Sequence, residues 1–299
     1  MREARTVAQA VTVVQPEAAG QSLQAIAWRQ LWRKRTALVG LGLIVALVLT
    51  AILADVLAPY GPTAIGSGVP MSLPNGQHPL GTDMLGRDML SRVMHGSRVA
   101  LYVGVLSLVL PLCAGIPLGV IAAFYGGLLD NVIMRLMDIM LAFPIFLLAI
   151  VVMVILEPST TNVVIALGIV RIPIYARIVR GSVLSIKALP YIEAAKALAV
   201  RDPRLLWRHI LPNCMAPIIV TSTLSVGTSI IAEASLSFLG LGTQPPTPSW
   251  GWDLKAGLMI MEINPGLCVF PGIAIFITVL AFNLFGDGLR DALDPRLKM

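Results

Sequence analysis

The sequence predicts an all-α polytopic membrane protein with six transmembrane helices and both termini on the same side of the bilayer. Three observations carry that reading. The 299 residues are 57% hydrophobic and only 13% charged, with a mean hydropathy of +0.83; a soluble domain is about 25% charged, so this chain lacks the polar surface that water requires. The apolar residues are blocked into six long runs and show no period-2 alternation, which favours helices over barrel strands. Finally, 17 of the 22 Lys and Arg residues fall on one side of the resulting topology and four on the other, with Arg171 inside a span. Lys and Arg accumulate in cytoplasmic loops, so both termini are expected in the cytoplasm. The net charge of +6 is thereby a topology signal and calls for no nucleic-acid partner.

The elements follow in order. Residues 1–27 hold Pro16 and Gly20 and no continuous apolar core, which predicts a disordered cytoplasmic tail and not a cleaved signal peptide. Residues 28–58 form the N-terminal anchor: Arg29, Arg33, Lys34 and Arg35 with Trp28 and Trp32 stand before the first apolar run, 37–54. Eighteen residues of helix rise about 27 Å, close to the hydrocarbon thickness of about 30 Å. Residues 59–98 are the first external loop, in which Leu85, Met89 and Val93 share a helical face and Asp88 and Arg92 stand at i,i+4. That spacing predicts a short amphipathic helix over 83–94 on the outer membrane surface. Residues 99–299 then supply a five-helix core with spans near 99–124, 137–156, 162–180, 217–239 and 267–285, and a basic loop over 181–216. Three prolines stiffen the second external loop, 244–252, whose Trp250 and Trp252 suit the membrane interface. Leu289, Ala292 and Leu293 with Arg290, Arg296 and Lys298 predict a short amphipathic end on the inner leaflet.

Chemistry-bearing clusters are few. Cys113, Cys214 and Cys268 are unrelated in spacing, and His78 and His95 have no clustered ligands, so neither a disulfide framework nor a metal site is expected. No nucleophile–base pair or facing carboxylates suggest catalysis, and none of the five lysines follows a glycine, as a phosphate-binding loop would need. The charged residues in or beside the spans are Asp138, Arg171 and Glu233. Each either fixes packing by pairing with a neighbouring helix or marks a solute path; Arg171 and Glu233 are the candidates for the path. Pro144 and Pro173 are candidate kinks, and Gly115 and Gly119 share a face that permits close helix contact.

The 181–216 loop is the most informative segment. Pro190 suits a first helical position, and Tyr191-Ile192-Glu193-Ala194-Ala195-Lys196-Ala197-Leu198-Ala199 continues with small side chains that let another protein's backbone approach. Asp202-Pro203 breaks that helix. Glu193-Ala194-Ala195, the small residue Ala199 four positions on, and Leu211-Pro212 resemble the EAA loop of ABC-importer permeases. The family prefers glycine where Ala199 stands and isoleucine where His209 stands, with Ile210 following here. Further stretches resemble the dipeptide/oligopeptide/nickel permeases, most closely their C-type subunit: His78-Pro79-Leu80-Gly81-Thr82-Asp83, Gly86-Arg87-Asp88, Ala234 to Gly242, Gln244 to Pro248, and Gly286 to Pro295.

The resemblance implies a type I ABC-importer permease fold in a bacterial inner membrane. It also implies a second permease, two cytoplasmic ATPases that bind ATP and Mg, and an extracytoplasmic substrate-binding protein. This chain would then be a non-catalytic transport subunit without a cofactor of its own. Its ATPase-coupling residues would be Tyr191, Ile192, Glu193, Ala194, Ala195, Lys196 and Ala199, supported by Asp202, Leu211 and Pro212, and Ala195→Trp would uncouple transport. Dipeptides, oligopeptides, glutathione-like peptides and nickel chelates are all open as cargo. An ion-coupled secondary transporter is the rival class, but no inverted repeat is visible.

Overall fold

The computed structural model describes Arg29 and residues 31–293. The expected 1–27 tail, Trp28, Arg296 and Lys298 lie outside those residues. Among the described residues the chain is helical, with no strand beyond an isolated bridge between Thr82 and Asp88.

The first span, α1 (Arg35–Leu57), stops at Ala58, the residue before Pro59, where a continued helix would meet the proline ring. α2 (Met89–Leu106) runs through a π-helical turn at Pro111–Gly115 into α3 (Ile116–Tyr125), a 37-residue run in all. Proline gives the ladder no N–H, and a π turn is one way to absorb the loss. Gly115 and Gly119 lie against α6 (Thr160–Lys187): a Cβ on Gly119 would stand 2.4 Å from the Ala176 carbonyl oxygen. Their close contact is therefore made inside this subunit.

The third crossing departs from the expected straight run over 137–156. It is broken into α4 (Gly127–Leu141) and α5 (Ile145–Leu156), bent by 88° at Pro144. Pro144 cannot donate to a ladder and drives Phe143 out of helical geometry, and nothing downstream restores the axis. Pro173, by contrast, stays inside a continuous α6. Two ion pairs tie α4 to α6: Arg180 to Asp130 through two contacts of 2.6 Å, and Arg177 to Asp138 at 2.5 Å. Asp138 thus has the packing role.

After α6 come α7 (Pro190–Ala197), α8 (Asp202–Leu205), a π turn at Leu206–Ile210 and a 3-10 turn at Leu211–Cys214, which leads into α9 (Met215–Phe238). α10 (Trp250–Leu258) is short, and α11 (Gly266–Leu293) is the last span. The predicted C-terminal amphipathic end is a direct continuation of α11, and Ala292 and Leu289 pack on Leu31 and Ala37. The main core joins α2, α3, α6, α9 and α11 around Tyr175, Val179, Ile218, Ile230 and Phe282.

Connections gather at two opposite ends. At one lie the start of α1, the α3–α4 turn and the 188–214 segment, tied by a Lys34–Asp291 ion pair and by Lys187 Nζ donating to the Phe124 carbonyl at 2.7 Å. At the other lie residues 58–88 and 239–265.

That second end corrects the amphipathic-helix expectation. Residues 83–88 form turns, the helix begins at Met89, and it continues into the span with Arg92 buried. The spacing was helical only from Met89 onward because Asp88 is the N-cap, its carboxylate accepting from the Ser91 N–H at 2.8 Å and from the Ser91 hydroxyl at 2.7 Å. Asp88 also meets His78 Nδ1 at 2.9 Å and does not pair with Arg92. Arg92 instead reaches 161 residues along the chain to Asp253 in α10, with Nε and Nη2 at 2.8 and 2.5 Å from Oδ1. Trp250 is not interfacial either: its ring is buried over Gly96, and Nε1 donates to the Val93 carbonyl at 2.9 Å.

Candidate coupling loop and transmembrane pathway

α7 is a helix with two unlike sides. Ile192 is fully buried in the main core, which also holds Val183, Ile186, Leu205 and Ile210, and burying such a side chain is worth about 1.5–3 kcal/mol. The opposite side shows Tyr191, Glu193, Ala194, Lys196 and Ala197 to solvent, with Leu198 80% exposed beyond them. Glu193 in the first turn and Lys196 in the last complement the helix dipole.

Ala195 departs from the sequence-based expectation. It is half-buried and packs on the same core that holds Ile192, so it belongs to the underside of α7 as much as to its free face. Of the residues expected at a coupling contact, Tyr191, Glu193, Ala194, Lys196 and Ala199 are exposed.

The turn that ends α7 is closed by two backbone hydrogen bonds, Ala199 N–H to Lys196 O at 2.9 Å and Val200 N–H to Ala195 O at 3.2 Å. This double closure requires a left-handed residue at its middle, where glycine is usual. Here Ala199 takes it, with φ +53°. Alanine here carries backbone strain that glycine would not.

Asp202 and Pro212 are exposed and Leu211 is half-buried. Asn213 Nδ2 donates to the Tyr191 hydroxyl at 3.4 Å and to the His209 carbonyl at 2.7 Å, which brings the two ends of the segment together. Trp207, which sequence reasoning passed over, stands 74% exposed on the π turn beside Arg204 and Arg208.

Within the membrane, three hollows follow one another along α9. The one toward the α10 end, about 430 Å³, is lined by Phe146, Ile231, Ser235 and Phe238. A middle one of about 330 Å³ holds Arg171, Tyr175, Ser225 and Thr228, with Phe146 bordering both. The last, about 440 Å³, lies toward the basic end beside Thr221, Leu224 and Arg290. Thr221, Leu224, Thr228, Ile231, Ser235 and Phe238 recur at alternating spacings of three and four, so they form one stripe on α9, and none of them is buried. Hydroxyls repeat every seven residues between apolar side chains. The sequence carried that signal in plain view, but an apolar average over the span hides it.

The two charged candidates separate. Arg171 borders the middle hollow. Glu233 sits about 200° around α9 from Ile231. It is fully enclosed, and its Oε1 accepts from Ser237 at 2.6 Å and from Thr243 and Ser249 at 3.1 Å each. Glu233 therefore pins the 239–249 connection, while Arg171 borders a hollow between α6 and α9.

Comparison with known proteins agrees with this architecture. Residues 115–299 match the family "Binding-protein-dependent transport system inner membrane component", and residues 22–74 match the "N-terminal TM domain of oligopeptide transport permease C". The chain is 44% identical over 281 residues to the glutathione transport system permease protein GsiD of Pectobacterium atrosepticum, covering 91% of this chain and 92% of that one. It is also 44% identical over 272 residues to the dipeptide transport system permease protein DppC of Alkalihalophilus pseudofirmus, covering 91% and 90%. Among solved structures, a chain of the inward-facing MetNI methionine ABC transporter superposes with a TM-score of 0.58 at 18% identity, over 69% of this chain and 98% of that one, which shows a shared fold. Its helices, its paired matches and its full-length relatives place the chain in the family of inner-membrane permease components of binding-protein-dependent transport systems.

Proposed function

We propose that this permease imports di- or oligopeptides, glutathione-like peptides included, as one of two membrane-spanning subunits driven by two ATPases and fed by a binding protein. The basic end faces the cytoplasm, as the Lys and Arg distribution supports. The names of the 44%-identical relatives, glutathione and dipeptide permeases, support the peptide class.

The observation that carries the ATPase-driven part is α7: a small-residue face free in solvent, anchored from below by the fully buried Ile192. A docked ATPase presses on Glu193, Ala194 and Ala197. The load passes through Ile192 to Val183 and Ile186 of α6, and through Leu205 and Ile210 to α9. Those are the two helices that carry Arg171 and the hydroxyl stripe, so a stroke at α7 rearranges the walls of the hollow.

Two measurements on one preparation test the proposal. The tagged protein, purified gently from its native membrane, should bring down a second permease and phosphate-loop ATPases, identified by mass spectrometry. Reconstituted with its binding protein, the complex should import dialanine only with ATP. Recovery of the chain alone, with uptake driven by an ion gradient, would establish a secondary transporter instead. ATP-driven uptake of nickel but not of peptide would keep the machinery and replace the cargo.

A further inference from the structure

We propose that Arg171 is a carboxylate-binding site midway along the pathway, so that the permease itself selects solutes bearing a free carboxylate. The proposal deepens the peptide-import reading and rests on it.

Arg171 is the twelfth residue of the 28-residue α6, about 17 Å of helix from its first residue. Its side chain is only 8% exposed and extends to α9, where Nη1 donates to the Ser225 carbonyl at 2.7 Å and Nη2 to the Thr228 hydroxyl at 2.9 Å. Both acceptors are neutral. Among the described residues, no carboxylate lies within ion-pair distance of Arg171, although Arg87, Arg92, Arg98, Arg177 and Arg180 each have one. A guanidinium has five N–H donors, and two are used here. A cation enclosed in a membrane protein without a counter-charge is costly, and such groups mark sites where an anion completes the set.

The surroundings fit a ligand. The hollow beside Arg171, about 330 Å³, lies within the range of about 300–1,000 Å³ for small-molecule sites. Its walls are mainly apolar, Phe146, Ala149, Leu167 and Tyr175 among them, and Thr228, which is exposed, also lines it. An apolar enclosure strengthens a charge-assisted pair, and the planar fork of arginine matches a carboxylate with two parallel bonds. Ser225 and Thr228 hold the guanidinium from one side and leave its other donors for the solute. An acidic side chain of the second permease offers the same chemistry, and the test separates the two sources.

The complex is reconstituted in proteoliposomes with its ATPases, second permease and binding protein. Uptake of labelled dialanine and of its C-terminal amide is then compared for wild type, Arg171→Gln and Thr228→Val. Because one binding protein serves all three, its own preference cancels in the acid-to-amide ratio. The expected result is a tenfold or greater loss of dialanine uptake in Arg171→Gln, with amide uptake unchanged within twofold or raised. Thr228→Val keeps the charge and the shape, and should lower dialanine uptake a few-fold and spare the amide. Equal losses for both peptides, or no loss for either, overturn the proposal. If Arg171→Gln loses the second permease during purification and Thr228→Val is neutral, the counter-charge belongs to that subunit and the proposal fails. A wild-type complex that imports neither probe refutes the peptide reading and this site with it.

Discussion

Replacing Ala199 by glycine should make the turn after α7 more stable. Ala199 has φ +53° and is solvent-exposed, so the substitution relieves backbone strain without disturbing packing. An L-residue with a Cβ pays about 1–2 kcal/mol in the left-handed region. Glycine escapes that cost and loses about 0.5–1 kcal/mol more chain entropy on ordering. The difference leaves roughly 0.5–1 kcal/mol in favour of glycine, equivalent to a two- to fivefold smaller population of the open turn. The amides that report it are those of Ala199 and Val200, which close the turn onto Lys196 O and Ala195 O. Hydrogen exchange on the purified complex, read by mass spectrometry over 196–200 and corrected for intrinsic rates, should slow by that factor in Ala199→Gly. The rest of the chain should be unchanged. Equal or faster exchange would refute the reasoning, because it would mean that the left-handed alanine carries no net cost at this position.

Other outcomes follow from the same geometry. Asp253→Asn should destabilise the α2–α10 contact by up to about 3 kcal/mol, because it leaves the buried Arg92 guanidinium with only the more distant Asp83 as a counter-charge, whereas Arg92→Met combined with Asp253→Leu should recover most of the loss; limited proteolysis within residues 59–88 and thermal unfolding of the complex read both. Gly119→Ala should cost about 1–3 kcal/mol, since its Cβ would lie 2.4 Å from the Ala176 carbonyl oxygen, and thermal unfolding in detergent measures it. Ala194→Trp should leave stability unchanged yet abolish ATP-driven uptake, because Ala194 lies on the free face of α7. Ala195→Trp should lower both, since that position also packs on the core. If both variants keep wild-type uptake, α7 is not the docking face.

Much of the fold was legible because membranes make sequence blunt. Long apolar runs and the Lys and Arg bias are averages over many residues, and they located the spans without any knowledge of packing. What escaped depends on which polar atom finds which partner. Asp88 and Arg92 stand at a spacing that suits an exposed ion pair, but burial recruits Asp88 as a helix cap and sends Arg92 across the fold to Asp253. Glu233 and Arg171 were both candidates as charges inside a span; only three-dimensional neighbours show that hydroxyls of Ser237, Thr243 and Ser249 enclose the first while the second borders a hollow. At Pro144 the residue type warned of a kink, but the 88° bend depends on how the two halves pack. In the 181–216 loop, the helix was readable from residue types, whereas the left-handed turn at Ala199 and the half-burial of Ala195 were not.

The fixing of Ile192 in the core has a mechanical consequence. A lever that bends at its fulcrum wastes its stroke, and a loop joined to a membrane domain only by its two strands would do so. Close-packed interiors have low compressibility. With Ile192 sealed into the core that also holds residues of α6 and of the approach to α9, and with Asn213 bonded to Tyr191 and His209 like a brace across the segment, α7 is held at both its underside and its start. A displacement imposed on its outer face would therefore be passed to the membrane helices and not absorbed in the segment, and the strain at Ala199 lies at the tip of the lever and not at its pivot.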